Sequence, residues 1–160
     1  EHTLQGELAT HKNLVILKAF TKCYAMAGLR LGYILCGDDT LTQRLREAGQ
    51  PWAVSNIAQA AGEAALLETQ YIERLRACIA EGRPQLMRGL ASLGGTVYAG
   101  EANYLLFSHS DRQLAQKLRK NGVLVRDCAN YIGLGGGWYR VAIRTEQENN
   151  RLLQAMKEVL

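Results

Sequence analysis

Phe20-Thr21-Lys22-Cys23-Tyr24-Ala25-Met26-Ala27-Gly28-Leu29-Arg30-Leu31-Gly32-Tyr33 is the stretch from which the rest of the chain is read. Two apolar runs flank it, Leu14–Phe20 and Leu31–Leu35, both of strand length. The loop between them carries one hydroxyl, one amine and one guanidinium, from Thr21, Lys22 and Arg30. A lysine held between rigid strands is a candidate amine nucleophile toward carbonyl cofactors. Arg30 lies far enough along for the loop to fold back and present its planar fork to an anion near Lys22. A solvated Lys and Arg account for the same pattern, so spacing alone leaves both readings open. Gly28 and Gly32 are expected to permit close backbone approach or unusual dihedrals.

The pattern Phe-Thr-Lys, five residues, then Gly-Leu-Arg-Leu-Gly-Tyr resembles the cofactor-lysine motif of the fold-type I pyridoxal-phosphate enzymes. Within the class I/II aminotransferase superfamily it is most similar to the histidinol-phosphate aminotransferase branch. The resemblance implies that Lys22 is the catalytic residue that captures the aldehyde of pyridoxal 5'-phosphate, and that Thr21 and Arg30 hold the cofactor phosphate. It also implies the fold class: α/β, the C-terminal part of a fold-type I transferase. The last strands of a large domain would be followed by an α+β small domain with a small mixed sheet covered by helices. In these enzymes most of the cofactor cradle precedes the lysine, so the resemblance leads us to expect the C-terminal portion of a longer enzyme. Residues 1–50 would end the large domain, 51–95 would form interdomain helices, and 96–160 would form the small domain.

Composition narrows the remaining classes. The 160 residues suit one compact domain, and 48% apolar with 21% charged residues reads as globular. The net charge of +4 is spread over interleaved acids and bases, with no basic block or aromatic-studded patch, so no nucleic-acid partner is expected. Cys23, Cys36, Cys78 and Cys128 form no Cys-x-x-Cys pair and have no histidine at ligand spacing. Neither a metal site nor a disulfide framework is expected, and a reducing, cytoplasmic setting follows. Cys23 is read as a small packing residue. His2 and His11 lack an acidic or cysteine partner at useful spacing and are read as surface residues. Glu1–Glu7 has no apolar signal core and no run approaches membrane-spanning length, so no membrane partner is expected.

Periodicity gives the elements. Thr40-Leu41-Thr42-Gln43 has the form of a capping box and predicts a helix to about Ala48, ended by Gly49. Asn56 is a candidate cap for an alanine-rich helix over Ile57–Leu67, whose small residues allow close packing. Ile72, Leu75, Ile79, Leu86, Leu90 and Leu93 recur at helical intervals until Gly94-Gly95. Pro84 lies inside that pattern at a cost of about 3 kcal/mol, which predicts a kink or short break around Gly82–Pro84. Strands are expected at Thr96–Ala99, Asn103–Ser108, Val123–Arg126 and Tyr139–Ile143. Ser110-Asp111-Arg112-Gln113 and Thr145-Glu146-Gln147-Glu148 read as further capping boxes. The second opens a final helix with Leu152, Leu153, Met156 and Val159 inward. Strand, strand, helix, strand, strand, helix is the order of a small sheet covered by helices.

The second informative stretch runs from Arg126 to Arg144. It puts Arg126 at the end of one strand and Arg140 at the start of the next, joined by a glycine-rich segment. Two guanidiniums converging there suit an acid with both carboxylate and phosphate, since each anion is bound bidentately. Two exposed arginines in strand-end salt bridges are the simpler alternative. Gly133–Gly137 lacks the Lys-Ser/Thr and helix onset of a phosphate-binding loop, and is read as a flexible hairpin connection.

Arg126-Asp127-Cys128-Ala129-Asn130-Tyr131 through Trp138-Tyr139-Arg140-Val141-Ala142-Ile143-Arg144 resembles the threonine-phosphate decarboxylases, pyridoxal-phosphate enzymes of cobalamin biosynthesis. Pro51-Trp52-Ala53-Val54 and Ala102-Asn103-Tyr104-Leu105-Leu106 are similar to the same branch. The resemblance implies that Arg140 binds a substrate carboxylate, that Arg126 helps hold the substrate anion, and that Arg144 serves structure. It implies a small phosphorylated amino acid, L-threonine O-3-phosphate, as substrate, aminopropanol phosphate as product, and a homodimeric parent enzyme. A histidinol-phosphate-type aminotransferase and a non-catalytic folding or dimerisation module are the alternatives. Ser55 departs from the asparagine usual in these relatives.

Overall fold

The computed structural model describes residues 3–160, so His2 lies outside the described residues. The chain divides after Ile72 into two compact units.

The first unit is built on a hairpin. β1 (Val15–Ala19) and β2 (Gly32–Cys36) pair antiparallel with Val15 opposite Cys36 and Ala19 opposite Gly32. The two predicted runs are therefore neighbours, and the loop between them is closed at its base. Helix α1 (Asp39–Ala48) follows, then α2 (Asn56–Leu67). Phe20, Leu31, Ala58 and Ala65 form a small core, with Tyr24, Met26 and Leu29 packed against it. Both helix starts lie earlier than predicted. Asp38, not Thr40, caps α1 by accepting the Leu41 N–H at 2.7 Å. Ser55, not Asn56, caps α2 by accepting the Ala58 N–H at 3.2 Å. A residue that accepts from the third amide onward serves as cap wherever the backbone turns extended, which holds at both positions. Ser55 thus has a defined local task in this chain. His11 is exposed as expected but does have an acidic neighbour, Glu7, at 3.4 Å, which lies in the short 3-10 segment Gln5–Ala9 just before it.

The second unit carries most of α3 (Thr69–Ser92), which runs unbroken through Pro84. The expected break is absent because packing outweighs the local cost. Gly82, Leu86 and Leu90 are all buried, and a side chain on Gly82 would meet Ile143 and Asn149 at 3.1 Å. The Arg83 guanidinium donates to the carbonyls of Gly100 and Ala102, anchoring the turn beside the proline. Gly94 adopts φ +85 and the Gly95 N–H donates to the Leu90 carbonyl, ending the helix where the Gly-Gly pair predicted.

Four strands follow: β3 (Thr96–Tyr98), β4 (Tyr104–Ser108), β5 (Arg126–Asp127) and β6 (Trp138–Ala142). They form one sheet in the order β3-β4-β6-β5. Every pairing is antiparallel, so the sheet is not mixed in strand direction. Val123–Arg126 is a strand only in its last residue, because pairing with β6 begins at Arg126. Alternation sorts the sheet faces. Leu105, Phe107, Tyr139 and Val141 are buried with Leu86, Leu90, Leu114, Leu118 and Met156, each large apolar side chain contributing about 1.5–3 kcal/mol. Tyr98, Tyr104, Leu106, Trp138 and Arg140 share the other face.

Helix α4 (Leu114–Lys120) buries Leu114 and Leu118, and α5 (Glu146–Val159) buries Leu152 and Met156. The Thr145–Glu148 capping box is present in both directions. The Ser110–Gln113 box is not: the Asp111 carboxylate accepts the Gln113 N–H at 2.9 Å and pairs with Lys117 at 2.8 Å, leaving α4 without a side-chain cap.

Candidate active site

The Lys22 loop is folded by its own backbone. The Phe20 carbonyl accepts the N–H groups of Tyr24 and Met26, both at 3.3 Å, and the Lys22 carbonyl accepts that of Ala25 at 3.2 Å. The Phe20 N–H donates to the Leu31 carbonyl at 3.2 Å, which joins the two ends of the loop. Phe20 is buried and its ring lies 5.1 Å from that of Tyr24 and 5.6 Å from that of Tyr33. Tyr24 in turn stacks on Tyr71. Two residues in this tightly held turn adopt left-handed backbone angles, Ala25 at φ +54 and Arg30 at φ +53. Such angles in non-glycine residues cost about 1–3 kcal/mol and collect at sites where side-chain direction matters.

Within this frame the Lys22 side chain is exposed, and among the described residues no hydrogen bond or ion pair occupies its amine. Thr21 is half-buried one residue earlier. The Arg30 guanidinium is exposed and donates through Nη1 to the Ala27 carbonyl at 3.2 Å. The loop thus brings the three predicted residues onto one turn, with no hydrogen bond joining their side chains to one another. Gly32 fulfils its expected role, since a Cβ there would lie 2.8 Å from the Lys18 carbonyl oxygen. Gly28 does not: it faces open space. Cys23 is exposed rather than packed, because the buried positions of the turn are taken by Phe20 and Leu31.

The second unit holds the other two candidates. Arg126 and Arg140 are direct partners across the β5–β6 pair, so their side chains leave the same sheet face. Arg140 is therefore inside its strand rather than at its start. Its Cζ lies 4.8 Å from the centre of the Tyr104 ring. Arg126 donates through Nη2 to Asn130 Oδ1 at 3.1 Å, and its Cζ lies 5.6 Å from the Tyr131 ring centre. Among the described residues no carboxylate forms an ion pair with either arginine. Opposed like charges in a sheet are destabilising, so the pair is favoured by an anion bound between or beside the two groups. Strand-end salt bridges, the simpler sequence reading, are not what is found at these positions.

Supporting contacts fix this strand pair. Cys128 is buried, its N–H donates to the Trp138 carbonyl at 2.8 Å, and burial pushes its thiol pKa up, against the pull of Arg140 and Arg126. Gly133 and Gly137 adopt φ +83 and +94 in the connection, as a hairpin requires. The Tyr139 hydroxyl donates to the Asp111 carbonyl at 2.8 Å, and the Asp111 N–H donates to His109 Nδ1 at 3.0 Å. Lys117, followed by the Gln113 amide, holds the Asp111 carboxyl below its ordinary value. Arg144 is held by Glu148 at 2.7 Å. Tyr104 and Tyr131 were not singled out from the sequence. The outward phase of Tyr104, opposite buried Leu105 and Phe107, was the available signal, and its use required the β4–β6 register.

The profile of the aminotransferases of class I and II matches residues 2–156. This chain belongs to that family. Members of the family use pyridoxal phosphate, and a solved histidinol-phosphate aminotransferase of the same fold, from Sinorhizobium meliloti, is in complex with it. The threonine-phosphate decarboxylase of Salmonella typhimurium is 39% identical over 96% of this chain and 43% of its own length. Histidinol-phosphate aminotransferase 1 of Archaeoglobus fulgidus is 36% identical over 93% of this chain and 46% of its own. The crystal structure of the histidinol-phosphate aminotransferase from Clostridium acetobutylicum superposes with a TM-score of 0.89 and 30% identity, over 98% of this chain and 48% of that one. The chain therefore spans less than half the length of the curated relatives it matches. Among the described residues no helix is long and apolar enough to cross a membrane.

Proposed function

We propose that the protein carrying this chain decarboxylates L-threonine O-3-phosphate to aminopropanol phosphate with pyridoxal phosphate as cofactor. The observation that carries the reading is the opposition of Arg126 and Arg140, two guanidiniums on one sheet face without a carboxylate partner among the described residues. A substrate with both carboxylate and phosphate supplies two anions for two cations. The 39% identity to the Salmonella typhimurium decarboxylase supports the same choice. In this reading residues 1–50 end the large cofactor domain, 51–95 are interdomain helices and 96–160 are the small domain, within a homodimeric enzyme.

The donor set fits the cofactor. A phosphorylated aldehyde needs one unpaired amine and a pair of phosphate donors, and the strained turn offers the amine of Lys22 with the hydroxyl of Thr21 and the guanidinium of Arg30. Lys22 would hold the aldehyde carbon; Thr21 and Arg30 would bind the phosphate. When bound, the cofactor supplies an electron sink for the pair released at the substrate α-carbon. Arg140 binds the carboxylate and sets its angle, which selects the bond that breaks. Arg126 binds the substrate phosphate. The Lys22 amine would also be placed to move a proton at the substrate α-carbon.

The second reading is a histidinol-phosphate-type aminotransferase, favoured by the 36% and 37% identities to enzymes of that name from Archaeoglobus fulgidus and Symbiobacterium thermophilum. There Lys22 shuttles the α-proton and no carbon–carbon bond of the substrate breaks. Incubation with L-threonine O-3-phosphate decides between them. Carbon dioxide release without a 2-oxoacid supports decarboxylation; turnover of histidinol phosphate that requires a 2-oxoacid supports the aminotransferase. The 160 residues assayed by themselves are proposed to be a non-catalytic folding or dimerisation module, and visible absorbance gained with pyridoxal phosphate and lost in Lys22→Ala would overturn that.

A further inference from the structure

Each of the two arginines lies over a tyrosine ring. Arg140 Cζ is 4.8 Å from the centre of Tyr104, and Arg126 Cζ is 5.6 Å from the centre of Tyr131. The first contact follows from the sheet register: Tyr104 opposes Ala142 and Leu106 opposes Arg140, so Tyr104 is the diagonal neighbour of Arg140 on the same face. Tyr131 comes from the glycine-rich connection, where its N–H donates to the Cys128 carbonyl at 2.9 Å. Both rings are 40% exposed, so neither is explained as core packing.

The choice of an aromatic face has a chemical consequence. A carboxylate beside an arginine neutralises its charge and occupies its N–H groups. A ring face attracts the guanidinium through its quadrupole and leaves the in-plane N–H groups available. Arg140 makes no ion pair among the described residues, and Arg126 uses one N–H, toward Asn130. Each guanidinium thus has a ring beside it while its charge and most of its donor edges stay open. We propose that Tyr104 and Tyr131 are positioning residues that hold Arg140 and Arg126 flat for a carboxylate and a phosphate respectively, which rests on the decarboxylase reading above. Tyr104 then acts through Arg140, and its ring rather than its hydroxyl is what matters.

The test uses the protein that carries this chain, loaded with pyridoxal phosphate, and L-threonine O-3-phosphate as ligand. Tyr104→Leu raises KM about two- to fivefold with little change in kcat, the size expected for a solvent-exposed ring contact. Tyr104→Phe keeps the parent values. In an Arg140→Leu background, equilibrium dialysis of the ligand shows no added loss from Tyr104→Leu. An unchanged KM in Tyr104→Leu, equal defects in the Phe and Leu variants, or a loss that persists without Arg140 each overturns the positioning role. If Arg140→Leu itself leaves affinity unchanged, the functional reading fails; if it weakens binding while Tyr104→Leu does not, only the positioning role fails. Thermal melts check folding, and Tyr131→Leu makes the same comparison for Arg126 from an exposed connection outside the strands.

Discussion

Gly62 of α2 lies directly against Leu31, so closely that a Cβ on the glycine would come 2.5 Å from Leu31 Cδ2. Leu31 follows Arg30, whose left-handed angle turns the chain out of the Lys22 loop, so this contact fixes the loop where it rejoins the hairpin. Gly62→Ala separates two opposing effects. Helix propensity alone would stabilise by about 1 kcal/mol, whereas overpacking costs about 1–3 kcal/mol. A lowered melting temperature, partly restored by adding Leu31→Val, is the expected outcome. A raised one would show that the helix and loop are not in the close contact described.

The start of α5 gives a prediction with a pH signature. Thr145→Ala removes the capping box and is expected to cost about 1 kcal/mol. Glu148 is held at about 2 by Arg144 first and Thr145 second, below its ordinary 4.5. A depressed carboxyl stabilises fully above its unfolded value and loses that contribution as pH falls from about 4.5 toward about 2. Because both side chains are largely solvent-exposed, the effect is modest. Melts from neutral pH into acid should show a shallower decline for Glu148→Gln; an unchanged acid slope would contradict the assignment.

Gly137 permits the turn into β6 that carries Arg140. Its φ of +94 is open to glycine, and a Cβ there would lie 2.6 Å from the His109 carbonyl oxygen. Since that neighbour is backbone, it yields little. Gly137→Ala should therefore destabilise by about 1–3 kcal/mol and break the hydrogen bond between the His109 N–H and the Gly137 carbonyl, 2.8 Å in length. Amide exchange at His109 reads this out directly. Protection equal to the parent's would argue against a constrained turn.

The parts of this molecule that were legible in the sequence are those fixed by local chemistry. The hairpin around Lys22, the Thr145 cap, the Gly94 stop and the inward face of α5 each depend on residues a few positions apart. Where competing local signals existed, the structure chose by backbone angle, as at Asp38 and Ser55, or by tertiary packing, as at Pro84. Ser110–Gln113 had the form of a capping box, but the Gln113 N–H goes to Asp111, which also pairs with Lys117 six positions on, a pairing the local spacing does not announce. Cys23 has the character of a packing residue, yet its place in the turn faces outward. At the site, both arginines were visible as residue types. Their exact opposition, and the rings beneath them, required the register of three strands.

The central claim is that the amine of Lys22 is the attachment point for the cofactor aldehyde. Borohydride reduction of the protein carrying this chain in the presence of pyridoxal phosphate, followed by peptide mass mapping, tests it without reference to turnover. A phosphopyridoxyl group on the Lys22 peptide, absent from Lys22→Ala, is the predicted result. Label confined to other lysines such as Lys12 or Lys18, with the Lys22 peptide unmodified, would contradict it.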